Sequence, residues 1–165
     1  MDDVTASKIK ALEDELAELK AHLNKPAPEV KKTGWDRAKI GEYYCAIDGI
    51  EVNTTFENRN IVDLKCYETA NYFSSKELAE RVKFEQDLFR KLRRFADENN
   101  EPIDWKCAGS NKFEIFYDYA NSMLKFNALY RHRSQGVVYF SSDDIALKAI
   151  QAFKDDLLRY YTTNK

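Results

Sequence analysis

The residues on which most enzyme chemistry depends are scarce in this sequence, and the few present stand apart. Two histidines occur in 165 residues. His22 follows an apolar seam near the amino terminus and His132 lies in the basic triplet Arg131-His132-Arg133. Neither has a second His, a Cys or a carboxylate at ligand spacing, so both read as solvated imidazoles and no metal is expected. The three cysteines, Cys45, Cys66 and Cys107, are odd in number and far apart, with no CxxC and no neighbouring His. That excludes a disulfide framework and leaves no activated thiol. Five scattered glycines form no GxGxxG, no P-loop and no GxSxG. No catalytic residue and no cofactor is expected, and the chain reads as non-enzymatic.

Charge of one sign is also lacking. The formal net charge is −2, which gives no global attraction to nucleic acid or to an anionic membrane. No run approaches the roughly 18 apolar residues of a membrane span. The start, Met1-Asp2-Asp3, is acidic and leads into no apolar h-region, so no secretory signal is expected. Together with reduced cysteines this points to the cytoplasm, with no membrane partner.

What is present is apolar bulk and aromatic rings. Hydrophobic residues make up 44%, with ten Tyr, ten Phe and two Trp, so the core should be largely ring packing. The length suits one domain with an appendage. The appendage is legible at once. Ile9, Leu12, Leu16, Leu19 and Leu23 recur at spacings of three, four, three and four, the a/d seam of a heptad, in a helix expected over 5–24. With Ile9, Leu16 and Leu23 at a, the g and e positions pair Lys8 with Glu13 and Glu15 with Lys20 across a parallel dimer. An antiparallel pairing is also opposite in sign, so orientation stays open. An amphipathic helix packed on its own body is the alternative, since so few heptads are marginal alone; the narrow stripe favours pairing with a second copy. Residues 25–34, with Pro26, Pro28 and three lysines, read as a semi-rigid linker, and 35–165 as the α+β domain.

That domain shows one order of events twice, in units of about 41–98 and 111–162. In the first, Tyr43-Tyr44-Cys45-Ala46-Ile47 is an expected strand, Asp48-Gly49 is a hairpin signal, and Ile50, Val52, Thr54 and Phe56 alternate back. A polar loop containing Asn58-Arg59-Asn60 leads to a further stretch ending at Asn71-Tyr72-Phe73, then a helix to about Glu98. In the second, Phe113, Ile115, Tyr117 and Tyr119 alternate, Asn121-Ser122 turns, and Leu124, Phe126, Ala128 and Tyr130 alternate back. Val137-Val138-Tyr139-Phe140 is a short third strand, and a last helix follows. The helix starts match at a single offset: Phe73 with Phe140, Ser74 with Ser141, Glu77 with Asp144, Leu78 with Ile145, Ala79 with Ala146. Serine is expected to cap, the acid to favour the positive helix end, and phenylalanine to staple. Two independent uses of a common strand-to-helix joint would look the same, but the preceding hairpins favour two related βββα units. The first long helix carries an apolar face too wide for one sheet, so it should lie between the units or be partly covered by a second subunit.

The same helix, taken as 75–98, carries the one basic cluster. Lys83, Arg90, Arg93 and Arg94, extended by Arg131 and Arg133, are the candidate nucleic-acid contacts. Glu80, Asp87, Asp97 and Glu98 share the helix and would oppose them.

Two resemblances bear on these elements. The βββα order with its aromatic-Ser-x-x-acid-x-Ala joint looks like the three-stranded DNA readers of plant ethylene-response factors and integrase arm-binding domains. Those families place Arg and Trp on the reading face, whereas here the strands offer Tyr, Asn, Thr and acids such as Glu51, Glu114 and Asp118. No base-reading residue carries over. The run Trp35…Gly41-Glu42-Tyr43-Tyr44, Asn71-Tyr72-Phe73-Ser74, Phe95 through Trp105, Lys112 through Tyr119 and Val138-Tyr139-Phe140-Ser141-Ser142 is similar to a group of small phage and prophage proteins of Gram-positive bacteria. That resemblance, over roughly 35–160, implies a mobile-element origin and no assigned activity. The expectation is an interaction protein acting by stoichiometric binding on a host protein or ribonucleoprotein. An anti-CRISPR-like inhibitor of a host defence effector is its sharpest form. The leader would supply homo-oligomerisation, and Trp35, Trp105, Tyr160 and Tyr161 would be anchoring rings. The alternative is a nucleic-acid-binding accessory protein using the basic helix face.

Overall fold

The computed structural model describes residues 8, 10, 12, 13, 15, 16, 20, 33–107, 110, 112–129 and 133–163. Contacts divide the chain into Met1–Thr33, the leader, and Gly34–Lys165, the body. In the leader the described residues from Lys8 to Lys20 are helical, and Leu12 and Leu16 are 65% and 52% exposed on the single chain. Ile9, Leu19 and Leu23 of the expected seam lie outside the described residues. Gly34, at the end of the expected linker, already belongs to the body. Its carbonyl accepts from the Ser74 N–H at 2.9 Å, and a Cβ at Gly34 would stand 2.7 Å from Leu78 Cδ2.

The body is of the α+β class, with two separate two-stranded antiparallel sheets and four helices among the described residues. The first sheet pairs β1 (Tyr43–Asp48) with β2 (Glu51–Phe56), Asp48 opposite Glu51. The turn is therefore Gly49-Ile50, one residue later than expected. A two-residue hairpin turn requires positive φ at its first position, and Gly49 supplies +58°. Ile50, expected to open the return strand, is instead 83% exposed at the tip.

One face of this hairpin, with Cys45, Ile47 and Val52, packs on Leu78, Ala79 and Val82. The opposite face buries Tyr44 against Tyr72 and Ala38, the two tyrosine rings stacked at 4.0 Å. Between the Asn58-Arg59-Asn60 loop and Phe73 lies a helix that apolar periodicity does not reveal, α1 (Ile61–Glu68). Ile61, Val62 and Leu64 are exposed while Asp63 is buried, so α1 has no apolar stripe to read. Its start is nonetheless a full capping box, with Asn60 accepting from Val62 and Asp63 and the Asp63 carboxylate accepting from the Asn60 N–H.

Helix α2 (Lys76–Asn99) runs past both hairpins, which accounts for its wide apolar face. Leu78, Ala79 and Val82 serve the first hairpin, and Leu88, Leu92 and Ala96 enter the larger core with Phe113 and Phe140. The second sheet pairs β3 (Lys112–Asp118) with β4 (Met123–Leu129), and the expected alternation holds: Phe113, Ile115, Leu124, Phe126 and Ala128 all reach that core. The turn is held by Asp118, which accepts from the Ala120 and Asn121 N–H groups and from Lys125 Nζ at 2.6 Å. Tyr119 falls in this turn, and Tyr130 lies outside the described residues.

The last helix is two. α3 (Asp143–Ala152) ends at Phe153 and α4 (Lys154–Thr163) restarts. Phe153 sits edge-on to Phe95 at 5.7 Å, so the break leaves its ring in the core. Asp155 and Asp156 then fall in the first turn of α4, where the helix dipole favours acids.

The helix starts do match at the expected offset, but the capping serine is the second of each pair. Ser75 and Ser142 accept from the Leu78 and Ile145 N–H groups. The first serines are tied elsewhere, the Ser74 N–H to Gly34 and the Ser141 N–H to Asn100. The third strand of each unit contracts to one bridge, Phe73 on Cys45 and Phe140 on Phe113. Val137, Val138 and Tyr139, expected as strand, are not.

Candidate functional site

Those bridges fix the hydrogen-bonding side of each hairpin. Cys45 exchanges both backbone bonds with Phe73, at 2.7 and 2.9 Å, and Phe113 exchanges both with Phe140, at 2.9 Å each. Because backbone groups alternate sides along a strand, Ile47 and Ile115 also turn their N–H and C=O away from the partner strand. Running the third chain back by two residues sets Asn71 opposite Ile47 and Val138 opposite Ile115.

The two positions are finished differently. Asn71 acts as a surrogate peptide group: its Oδ1 accepts from the Ile47 N–H at 2.8 Å and its Nδ2 donates to the Ile47 carbonyl at 2.9 Å. Val138 has no such group. The Ile115 carbonyl accepts from the Tyr161 hydroxyl at 3.0 Å, and the Ile115 N–H has no partner among the described residues. Burial, then Tyr160, Glu114 and Tyr119, push the Tyr161 phenol up to about 12, so it remains a donor at any physiological pH.

Beside that open position is a cleft of about 670 Å³, within the size range of ligand pockets. Phe89 of α2, Ile115 of β3, Val137 and Val138 of the connecting segment, and Tyr160 and Tyr161 of α4 give it apolar walls. Gly136, with φ +78°, turns the connecting segment there. Glu85, Gln86, Arg90, Arg93 and Gln135 complete its lining.

The basic residues divide. Lys83 and Arg90 both pair with Asp87, Arg94 with Glu98 at 4.0 Å, and Lys91 with Asp156 at 3.0 Å. Arg133 lies over the Trp105 ring at 4.9 Å, with Lys112 5.5 Å from the same ring. Arg93 makes no ion pair among the described residues and lines both the main cleft and a smaller one shared with Arg133 and Trp105. Arg131 lies outside the described residues. One carboxylate, Asp87, serves both Lys83 and Arg90, so the cluster is only partly offset along α2, and Arg93 is its member with neither an ion pair nor a ring contact among the described residues. Of the expected anchoring rings, Tyr160 and Tyr161 line the main cleft, Trp105 is edge-on to Tyr139, and Trp35 packs on Phe73 at 4.9 Å.

A second polar constellation lies in the first unit. The buried Glu57 carboxylate accepts from Arg37 at 3.1 Å, from the Tyr72 hydroxyl at 2.8 Å and from the Arg59 N–H at 2.8 Å. The buried Asp63 carboxylate accepts from Tyr44, Asn58 and Asn60. Burial opposes ionisation of both acids, but these donors hold each below the usual carboxylate range. Burial and Glu57 push the Tyr72 phenol up to about 12. With every oxygen engaged, the network fastens the 57–63 loop rather than presenting a reactive group. Arg59, at φ +57°, is held in left-handed backbone by that fastening.

Among the described residues no cluster of three or more His, Cys, Asp or Glu is placed to hold a metal ion. No helix in them is long and apolar enough to cross a membrane. Comparison with protein-family models, with curated proteins and with solved structures finds no match to this chain.

Proposed function

We propose that this chain is a non-enzymatic interaction protein that binds a partner protein stoichiometrically through the cleft between α2, β3 and α4. The observation that carries this reading is an open, largely apolar cleft whose lining includes an arginine, Arg93, that makes no ion pair among the described residues. Apolar walls provide burial, and a cation in the lining selects a partner with an acid at the edge of its apolar surface. The resemblance to phage and prophage proteins supports a host effector in the bacterial cytoplasm as that partner, an anti-CRISPR-like inhibition being its sharpest form. Self-association through the leader would add avidity.

Affinity capture from bacterial lysate, with and without nuclease, tests the binding mode. The expected result is a protein that survives nuclease, saturates at a fixed ratio, and is lost from Arg93→Glu and Val137→Glu. Capture that disappears with nuclease, or that both variants retain, overturns the reading. The leader is tested separately by light scattering on the full chain. Leu12→Asp with Leu16→Asp should reduce the mass to that of one chain, and an unchanged mass ends the avidity argument.

A further inference from the structure

The expected third strand of the second unit and the cleft occupy the same place. The chain reaches the sheet only at Phe140, which pairs with Phe113, and Val138, two residues earlier and opposite Ile115, is not strand. We propose that this vacancy is a strand acceptor: an extended segment of the partner protein adds to the free edge of β3 at Ile115, with a carboxylate of that segment on Arg93. The inference deepens the proposed function and rests on it.

Four observations select an extended peptide over other occupants. The Ile115 N–H is without a partner among the described residues, and an unpaired edge donor is what strand addition satisfies. The Ile115 carbonyl is held by a single Tyr161 hydroxyl, which an incoming amide replaces with a bond of similar strength. Phe89, Val137, Val138 and Leu157 give the slot apolar walls, with Glu85, Gln86 and Gln135 also in its lining, suiting a strand whose alternate side chains point to the two faces of the sheet. Arg93 supplies the charge complement, since Asp87 already serves its neighbours Lys83 and Arg90. A helix or a nucleic acid would use the walls and the arginine but leave the edge N–H unmet.

The first unit supplies the control. There the same position carries Asn71, whose carboxamide fills both edge bonds. Val138→Asn should therefore close the acceptor from within while leaving the fold intact. Ile115→Pro removes the edge N–H without touching a β3–β4 ladder bond, a location where proline is tolerated, and Ile115→Val retains it.

The probes are short peptides selected from a random display library on the full-length chain. Selected peptides should alternate apolar residues with one Asp or Glu. They should lose roughly tenfold or more in affinity to Val138→Asn and Ile115→Pro, and little to Ile115→Val. In amide exchange by NMR, Ile115 should exchange faster than Ile47 in the free protein and slow when peptide is bound. Peptides weakened by Arg93→Glu but not by Val138→Asn or Ile115→Pro would overturn strand addition and leave cleft binding standing. Peptides weakened by none of the four substitutions, or no peptide selected at all, would overturn both. A dimer of the full chain dispersed by Val138→Asn would assign the edge to a second copy and overturn the partner strand.

Discussion

The two hairpin units are built alike up to one side chain, and their difference separates what the repeat does for stability from what one copy leaves for binding. Each hairpin receives a phenylalanine by a single bridge, and each such phenylalanine starts a helix capped by serine. The first unit then closes its edge with Asn71 and fills the space beyond with α1 and the Glu57 and Asp63 network. The second places Val138 there and leaves a cleft. A closed edge fixes a loop, and an open one offers bonds to a stranger.

The shared feature should give the largest effect. Phe73 and Phe140 are almost wholly buried, so Phe73→Ala and Phe140→Ala should each destabilise the body by about 3–5 kcal/mol in urea unfolding. Similar values would show that both bridges serve as core staples. A large inequality would break the equivalence of the units.

The distinguishing feature comes next. Asn71→Val leaves the Ile47 N–H and C=O unpaired and should cost about 1–3 kcal/mol. The reverse exchange, Val138→Asn, trades some apolar burial for two edge bonds and should change stability by less than about 1 kcal/mol. If both exchanges cost the same, the asparagine is not an edge closure, and the contrast between the units fails.

How much of this was legible in the sequence depended on whether a signal was local. Alternation at Phe113, Ile115, Leu124, Phe126 and Ala128 marked a half-buried sheet, and each of these residues reaches the core. The matched Phe-Ser-Ser starts and the wide face of α2 were visible for the same reason, since burial imposes a period. The α1 helix was hidden because its buried residue is an aspartate and its apolar residues face water. Only the Asn60-to-Asp63 capping spacing announced it. The third strands misled because Val137-Val138-Tyr139-Phe140 has strand composition, whereas pairing is decided by what stands opposite. Asn71 as a surrogate peptide has no sequence signature beyond its offset from Val138, and the cleft follows from that offset alone. The basic run was visible, but its partial pairing depended on which of the nearby acids met it in space.

Acid tests the buried carboxylates that fasten the closed unit. Glu57 and Asp63 have carboxyl pKa values lowered in the fold, so their contribution is complete above the unfolded values of about 4.3 and 3.9 and is lost as pH falls through the folded ones. Unfolding midpoints should be flat from pH 7 to about 5 and decline below that. Glu57→Gln should lower the plateau and flatten part of the decline. A midpoint that rises on acidification would mean that burial, and not Arg37 with its companions, governs these acids.

The smallest effect is expected on the face that belongs to neither edge. Arg90 and Arg94 are exposed and pair with Asp87 and Glu98 one turn or less away on the same helix. Pairs of that kind contribute roughly 0.3–0.5 kcal/mol each, so Arg90→Glu with Arg94→Glu should shift the unfolding midpoint only slightly. The same double substitution decides the alternative function. A chain that grips phosphates through α2 would bind DNA or RNA at low salt, lose it steeply as salt rises, and lose it further on charge reversal. Asp87, shared by Lys83 and Arg90, and Glu98 offset part of this charge, and the expected outcome is weak retention that the substitution barely alters. Strong retention abolished by the double variant would transfer the binding role from the open edge of β3 to the helix surface, and the difference between the two hairpins would then be one of stability alone.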